Sequence, residues 1–485
     1  MLWLDSRERQ IQALYLLIFI GGIFIRIWAA IISHGFAHPD EHYQILEPAH
    51  GLSYGYWQAS WEWVSGIRSF VPPQLFSFLI DTYRSIFKTE DPLRMIFFIR
   101  LFCGLCSLVI LVAVYRVGRF LETERNRGWI SLPSVFITSI CSTFVYYGVH
   151  PLSESLSTYW IALGVIGYFY SLEQKNVAYQ SGIAFIIGLC VGLAFSFRFQ
   201  AGLFGVSFAL LYVLEGRWKA FLFFVGGSLI CLGLYGLYDV SMGRPFLGSA
   251  LGYFEFNIMQ SGASQWGVQP WHRYITSLNR FFTLPLALWI LIGALLSLHP
   301  AIFSKSKKLW LIILPFWLVH NLIGHKEDRF IFPVLPWIVV LAVYGWSYWI
   351  RNRKLKTKVM LSAAYFLVMT VSVIYGYAHS SWKHHGFFTT EMAKLSKKKQ
   401  LESLAVFGTL HSGSYFYLHQ NIPLFHFSDL NHAKKERFKE KVGREFKSVI
   451  ALNHSGKIPE SLLPENIQCV LDAKMKRLYH CELSK

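Results

Sequence analysis

Charge is scarce in this chain. Only 15% of its 485 residues are Asp, Glu, Lys or Arg, against about a quarter in ordinary soluble domains. That shortage, with 54% hydrophobic residues and apolar runs of bilayer-spanning length, excludes an ordinary soluble fold and marks a polytopic membrane protein. Acid is the scarcer sign: 28 acidic residues stand against 46 basic ones, a formal net charge of +18. In a soluble chain such an excess would point to nucleic acid. Here the basic residues sit in short loops and the tail, where membrane orientation and anionic headgroups account for them, so no nucleic-acid partner is expected. Cysteine is also sparse. Five of the seven (Cys103, Cys106, Cys141, Cys190, Cys231) lie in apolar runs and read as small hydrophobes. Cys469 and Cys481 fall in the polar tail, where a disulfide becomes possible if the strands around them pair. No internal repeat is visible, which weakens an inverted-repeat transporter reading.

What is present is a ladder of apolar segments. They run roughly over 11–33, 93–115, 128–147, 153–172, 181–197, 200–214, 220–239, 281–299, 309–323, 329–350 and 359–378. Residues 1–10 are polar and no cleavage site follows the first span, so it reads as a signal anchor. With the N-terminus inside, the basic clusters fall on one side throughout: Arg116 to Arg127, Lys175, Arg217 and Lys219, Lys305 to Lys308, and Arg351 to Lys358. That is the positive-inside pattern, and it predicts eleven spans with the C-terminus outside. Arg198 and Gln200 interrupt the run 181–214 and imply a tight turn or a broken helix. The expected domains are a multi-span unit over 1–379, with a catalytic outer loop at 34–92, and a small C-terminal α/β domain over 380–485. In the latter, 404–408, 448–452 and 468–471 read as strands, and 415–419 and 434–445 as helices.

The chemistry-bearing residues cluster in the outer loops. The first loop carries Asp40 and Glu41 where the first span leaves the bilayer, with His34, His38, His42, Glu47 and His50 around them. A bland reading is a solvated Pro-Asp turn. Carboxylates at a membrane boundary are costly to desolvate, however, and one placed carboxylate suffices as general base for an inverting glycosyl transfer with a phosphate leaving group. A second loop reads His325-Lys326-Glu327-Asp328-Arg329. Cations are not expected outside, yet Lys326 and Arg329 are there, and both suit a lipid-linked phosphate. Arg198 at an outside turn is a third candidate, whereas Arg26 within the first span reads as a structural pairing. Trp61, Glu62, Arg68, Trp271 and His272 are candidate substrate contacts; Trp61, Trp63, Trp266 and Trp271 serve equally well as an aromatic belt or as sugar platforms. His38 and His42 have no evident third ligand, so no metal and no cofactor are expected.

Pro39-Asp40-Glu41, Tyr43-Gln44 and Glu47, Tyr54-Gly55, Trp61-Glu62-Trp63 and Arg68-Ser69 together resemble the first outer loop of glycosyltransferase family 22. His325-Lys326-Glu327 with Arg329-Phe330 resembles its later charged element. The segments Tyr253 to Asn257 and Pro270-Trp271-His272 resemble the branch that adds the third mannose of glycosylphosphatidylinositol (GPI). The sequence departs from the family pattern at His42, His150-Pro151 and Arg198-Phe199-Gln200. The resemblance implies a GT-C-type helical membrane fold, a polyprenyl- or dolichyl-phosphate mannose donor, a glycolipid acceptor, inversion and no required metal. It also implies Asp40 as base with Glu41 beside it, and His325, Lys326 and Arg329 at the donor phosphate. The expected place is a bacterial inner membrane or the ER membrane, with the site on the periplasmic or lumenal side. The alternative from another class is a lipid or solute transporter or flippase.

Overall fold

The computed structural model describes residues 6–351, 353–380, 382–397, 401, 403–407 and 410–427, and the strands at 448–453, 467–471 and 478–483. The chain divides into two compact units. The first comprises 1–30, 62–72 and 100–380, and the second 31–61, 73–99 and 381–485.

The first unit is built from long apolar helices. A helix stands at each of the eleven expected places, but by length and apolarity the count is smaller. Among the described residues of the whole chain six qualify alone: Ser6–Ile32, Pro92–Leu121, Val177–Phe197, Trp218–Ser241, Asp328–Arg351 and Leu355–His379. Two bent pairs raise that to eight at most. The reasons for the difference are local. Ser131–Ile140 and Ser142–Val149 meet at 61°, because Cys141 between them has extended backbone. Leu284–Leu296 and Pro300–Leu322 meet at 109°. Pro300 cannot continue a helix, and His299 starts the next one by accepting from the Ala301 amide at 3.2 Å. The helix Gly202–Leu214 has 13 residues, too few to cross a bilayer alone. The break before it is a turn: Arg198 is extended, and one turn of 3-10 helix follows at Phe199–Ala201.

Helices in a bilayer gain little from burying apolar surface against one another, so close backbone approach matters more. Glycine supplies it here. A Cβ at Gly188 would lie 2.1 Å from the Phe224 carbonyl, and one at Gly227 2.2 Å from the Phe185 carbonyl. The helices Val177–Phe197 and Trp218–Ser241 thus meet backbone to backbone in both directions. Gly293 and Gly345 do the same for Leu284–Leu296 and Leu335–Arg351. Arg26, buried in the first helix, donates to Ser107 Oγ at 2.7 Å and to the carbonyls of Gly22 and Ser139, the structural pairing its sequence position suggests.

In the second unit, Glu41–Leu46 forms a turn of π-helix that runs directly into the helix Glu47–Tyr54, ended by Gly55 at φ +82°. The five strands are β1 (Leu404–Phe407), β2 (Leu424–Phe427), β3 (Ser448–Asn453), β4 (Ile467–Leu471) and β5 (Leu478–Leu483), in the order β2-β1-β3-β5-β4. β1 pairs in parallel with β2 and β3, and β5 pairs antiparallel with β3 and β4. The register opposes Cys469 to Cys481, so the strands around them do pair. The helix expected over 434–445 lies outside the described residues.

Gly188→Leu should lower the thermal midpoint of the detergent-solubilised protein by an amount equivalent to about 1–3 kcal/mol of overpacking. Gly182→Leu on the same helix, where nothing lies within 4 Å of the new Cβ, should leave it unchanged.

Candidate active site

In the first unit the charged loop folds around a carboxylate that sequence reasoning did not single out. Glu154, in the first turn of Ser153–Leu172, is fully buried. Its Oε1 lies 2.9 Å from Arg198 Nη1 and 3.4 Å from Arg329 Nε. Both arginines are almost fully buried, and both guanidinium groups lie over the Phe330 ring, at 4.8 and 5.4 Å from its centre. Arg329 also donates to Glu327 Oε2 at 2.8 Å. A lone buried carboxylate would be prohibitive, and two guanidinium groups offset that cost. The one signal for Glu154 in the sequence is an acid at the start of an apolar span, three residues after the unusual His150-Pro151 pair.

Lys326 has a different environment. The residue is 6% exposed, and its ammonium donates to the Ile323 carbonyl and, at 3.2 Å, to the Gln269 carbonyl. No carboxylate pairs with it among the described residues. Desolvation lowers its pKa from the ordinary lysine value. Asp328 is spent elsewhere: it accepts from Ser277 Oγ at 2.7 Å and pairs with Arg273 and Arg280. Among the described residues, the charged loop and its partners thus hold three cations (Arg198, Lys326, Arg329) against two carboxylates (Glu154, Glu327) once Asp328 is set aside, a surplus of positive charge.

His325 sits between two acceptors. Its Nε2 lies 3.2 Å from Glu327 Oε1 and its Nδ1 3.1 Å from the Gly267 carbonyl. The hydrogen bond to Glu327 raises the His325 pKa, with burial opposing and the Gly267 carbonyl assisting. Both nitrogens find acceptors only when both are protonated, so the geometry favours the imidazolium.

The other first-unit candidates form a separate polar group. Arg68 pairs with Glu62 and lies over the Tyr253 ring at 5.6 Å. Arg244 donates to the Arg68 carbonyl and to Ser249 Oγ, which in turn donates to the buried Asp239 at 2.8 Å. Trp271, His272 and Trp266 are exposed.

In the second unit, Asp40 is half-buried at the head of the π-helical turn and Glu41 is buried as its first residue. Single π turns often occur at functional sites. Glu47 is a fully buried hub. It accepts from the backbone amides of Gln58, Tyr415 and Phe416 at 2.9 to 3.2 Å, and His42 Nε2 stands 3.1 Å from it. That same nitrogen is 2.9 Å from the Ser414 amide; it donates to the carboxylate when protonated and accepts from the amide when not. Burial alone would raise the Glu47 pKa, but the hydrogen bond and charge of His42, the charge of His50 and the Gln58 amide together hold it low. Burial pushes His50 down to about 4, against the pull of Glu47. Trp61, also in this unit, is exposed.

Residues 17–419 match the model of the Alg9-like mannosyltransferase family. The chain belongs to that family. Among curated relatives it is 28% identical to Mannosyltransferase APTG1 of Arabidopsis thaliana, over 68% of this chain and 58% of that protein. It is 25% identical to GPI alpha-1,2-mannosyltransferase 3 of Homo sapiens, over 85% of this chain and 71% of that one. The chain thus spans little more than half to about 70% of the length of these family members. In fold it is similar to ArnT from Cupriavidus metallidurans bound to undecaprenyl phosphate, with a TM-score of 0.67 at 12% identity over 96% and 97% of the two chains. It is also similar to the Archaeoglobus fulgidus oligosaccharyltransferase, with a TM-score of 0.55 at 12% identity over 90% and 68%. The fold is that of the GT-C membrane glycosyltransferases, and the family member described here is an integral membrane protein.

The raised His325 pKa has a worked sign. The folded value exceeds the ordinary 6.5, so the imidazolium's contribution is fully present below about 6.5 and fades as pH rises through the folded value. Glu327→Gln should return the His325 titration toward 6.5, followed by NMR on histidine-labelled protein; an unchanged titration would show that Glu327 is not the cause.

Proposed function

We propose that the protein is a membrane mannosyltransferase that moves mannose from a polyprenyl- or dolichyl-phosphate donor to a glycolipid acceptor with inversion. The observation that carries this is the positive surplus in the charged loop and its partners, and above all Lys326, a desolvated ammonium that among the described residues has only carbonyl partners. A buried cation without a carboxylate is stabilised by an incoming anion. A lipid-phosphate sugar brings one, and family membership supports mannose as the sugar. It does not favour the transporter alternative.

The reaction has a simple balance. An acceptor hydroxyl attacks the anomeric carbon, the bond from that carbon to the phosphate oxygen breaks, and the lipid phosphate leaves. Asp40 takes the hydroxyl proton, with Glu41 beside it. The donor phosphodiester carries one negative charge and the departing phosphate more, so cations beside it bind the transition state better than the ground state. Arg198 and Arg329 are fixed by Glu154 and cost no reorganisation during the step. Lys326 and His325 supply the remaining charge. Trp271, His272, Trp61, Glu62 and Arg68 are assigned to sugar and acceptor contacts, and the proposed face is lumenal or periplasmic.

The experiment is transfer of labelled mannose from a polyprenyl-phosphate donor in membranes. Asp40→Asn should cut kcat by about 10²- to 10⁴-fold while the protein still inserts. Full activity in that variant removes Asp40 as base. Lys326→Gln should raise the donor KM and lower kcat at least about tenfold while leaving the acceptor KM alone; unchanged donor dependence would sink the phosphate assignment. Glu154→Gln should cost about 3–5 kcal/mol of stability, because it takes the carboxylate from the buried Arg198 and one of two from the buried Arg329, read as a fall in thermal midpoint.

A further inference from the structure

Three histidines outside that chemistry come together in the second unit. The ligand atoms of His384, His385 and His411 all lie within 4.8 Å of one another. The ring centres are 4.1 Å apart for His384 and His385, 3.9 Å for His385 and His411, and 5.6 Å for His384 and His411. In sequence His411 is 26 residues beyond His385, so no spacing motif announces the group.

The backbone around the trio is built to hold it. Gly35 bridges to His385, and at φ +72° it packs so tightly that a Cβ would fall 2.3 Å from the His384 carbonyl and 2.6 Å from the Gly386 amide. The His34 amide donates to the Trp382 carbonyl at 2.6 Å. His385 itself takes a left-handed conformation, φ 52°, uncommon for a residue with a side chain. One turn further along the same segment, the Ala37 carbonyl lies 3.3 Å from His411 Nε2. An imidazole with one nitrogen tied to a carbonyl presents the other as a lone pair, the arrangement usual in metal-ligating histidines.

We propose that His384, His385 and His411 form a binding site for one divalent ion of the zinc class. Three imidazoles suit Zn²⁺, and less selectively Co²⁺, Ni²⁺ or Cu²⁺, over the hard oxygen-seeking ions. Nitrogens on a tetrahedral ion at about 2.05 Å lie about 3.4 Å apart, so the trio closes by a modest turn of its rings, of which His384 is exposed. The fourth position is left for water or a further donor. The ion would clamp the chain entering the helix Gly386–Leu395 to the loop before Tyr415–Leu418. It is a structural clamp, independent of the transfer chemistry proposed above.

The test uses the full-length protein without a histidine tag, stripped with chelator and dialysed. Titrated with Co²⁺, it should take up one equivalent per chain, with the visible absorption of a four-coordinate site, and Zn²⁺ should displace it. His385→Gln and His411→Gln should each weaken uptake at least about tenfold, while the exposed His299→Gln should not. X-ray absorption at the zinc edge of the wild-type protein should count three imidazoles, a reading that does not depend on any variant folding. No stoichiometric uptake, fewer than three imidazoles, or equal loss in His299→Gln overturns the site.

Discussion

The first unit's site depends on a carboxylate with nowhere else to put its charge. Glu154 is sealed from solvent at the start of a helix, and Arg198 and Arg329 are the groups that make this tolerable. These residues come from three distant stretches of chain: a helix start, the extended turn at Arg198, and the charged loop. Moving any of them removes an ion pair from a poor dielectric, where the penalty runs to several kcal/mol. The interaction therefore fixes the loop's geometry more firmly than the loop's own polar residues would. It also sets the two arginines, each paired with a buried carboxylate, apart from Lys326, which among the described residues donates only to carbonyls.

A second buried carboxylate shows the same physics put to another use. Glu47 collects three backbone amides and the His42 ring. Two of those amides begin the short helix Tyr415–Leu418, whose exposed N–H groups favour a negative charge. Every oxygen of Glu47 is thus engaged with donors of the scaffold, which makes it a poor proton acceptor and a good strut. Asp40 is different: it is half-buried, at the head of a turn. A general base needs access to its substrate more than it needs burial. On that ground Asp40 remains the better candidate even though Glu47 is the more strongly held acid.

Much of this was legible in the sequence, for reasons that differ residue by residue. The helices stand where the apolar runs lie, because hydropathy is local. The span count was not, because it depends on bends at Cys141 and Pro300 and on a short helix after Arg198, where periodicity is silent. Lys326 and Arg329 stand out in the sequence because the charge pattern reads their loop as an outer one, where cations are not expected. Glu154 does not, since an acid at a helix start is ordinary until its partners are known, and those lie 44 and 175 residues away. The histidine trio was hidden in the same way. His38 and His42 attracted attention by their spacing, while the three rings that meet belong to segments joined only by the fold.

Scarcity of charge is what makes these clusters informative. In a chain with 15% charged residues, a buried ion is not background. It has been retained against a solvation cost that apolar replacement would remove. Arg26 meets that cost with a hydroxyl and two carbonyls in the helix bundle, and its role ends with packing. Arg198 and Arg329 meet it with a carboxylate and so could be purely structural as well. Lys326, among the described residues, meets it with carbonyls alone, and desolvation lowers its pKa. On the function proposed above, that difference separates a site from a strut: the first leaves a charge for a ligand to satisfy, and the second does not.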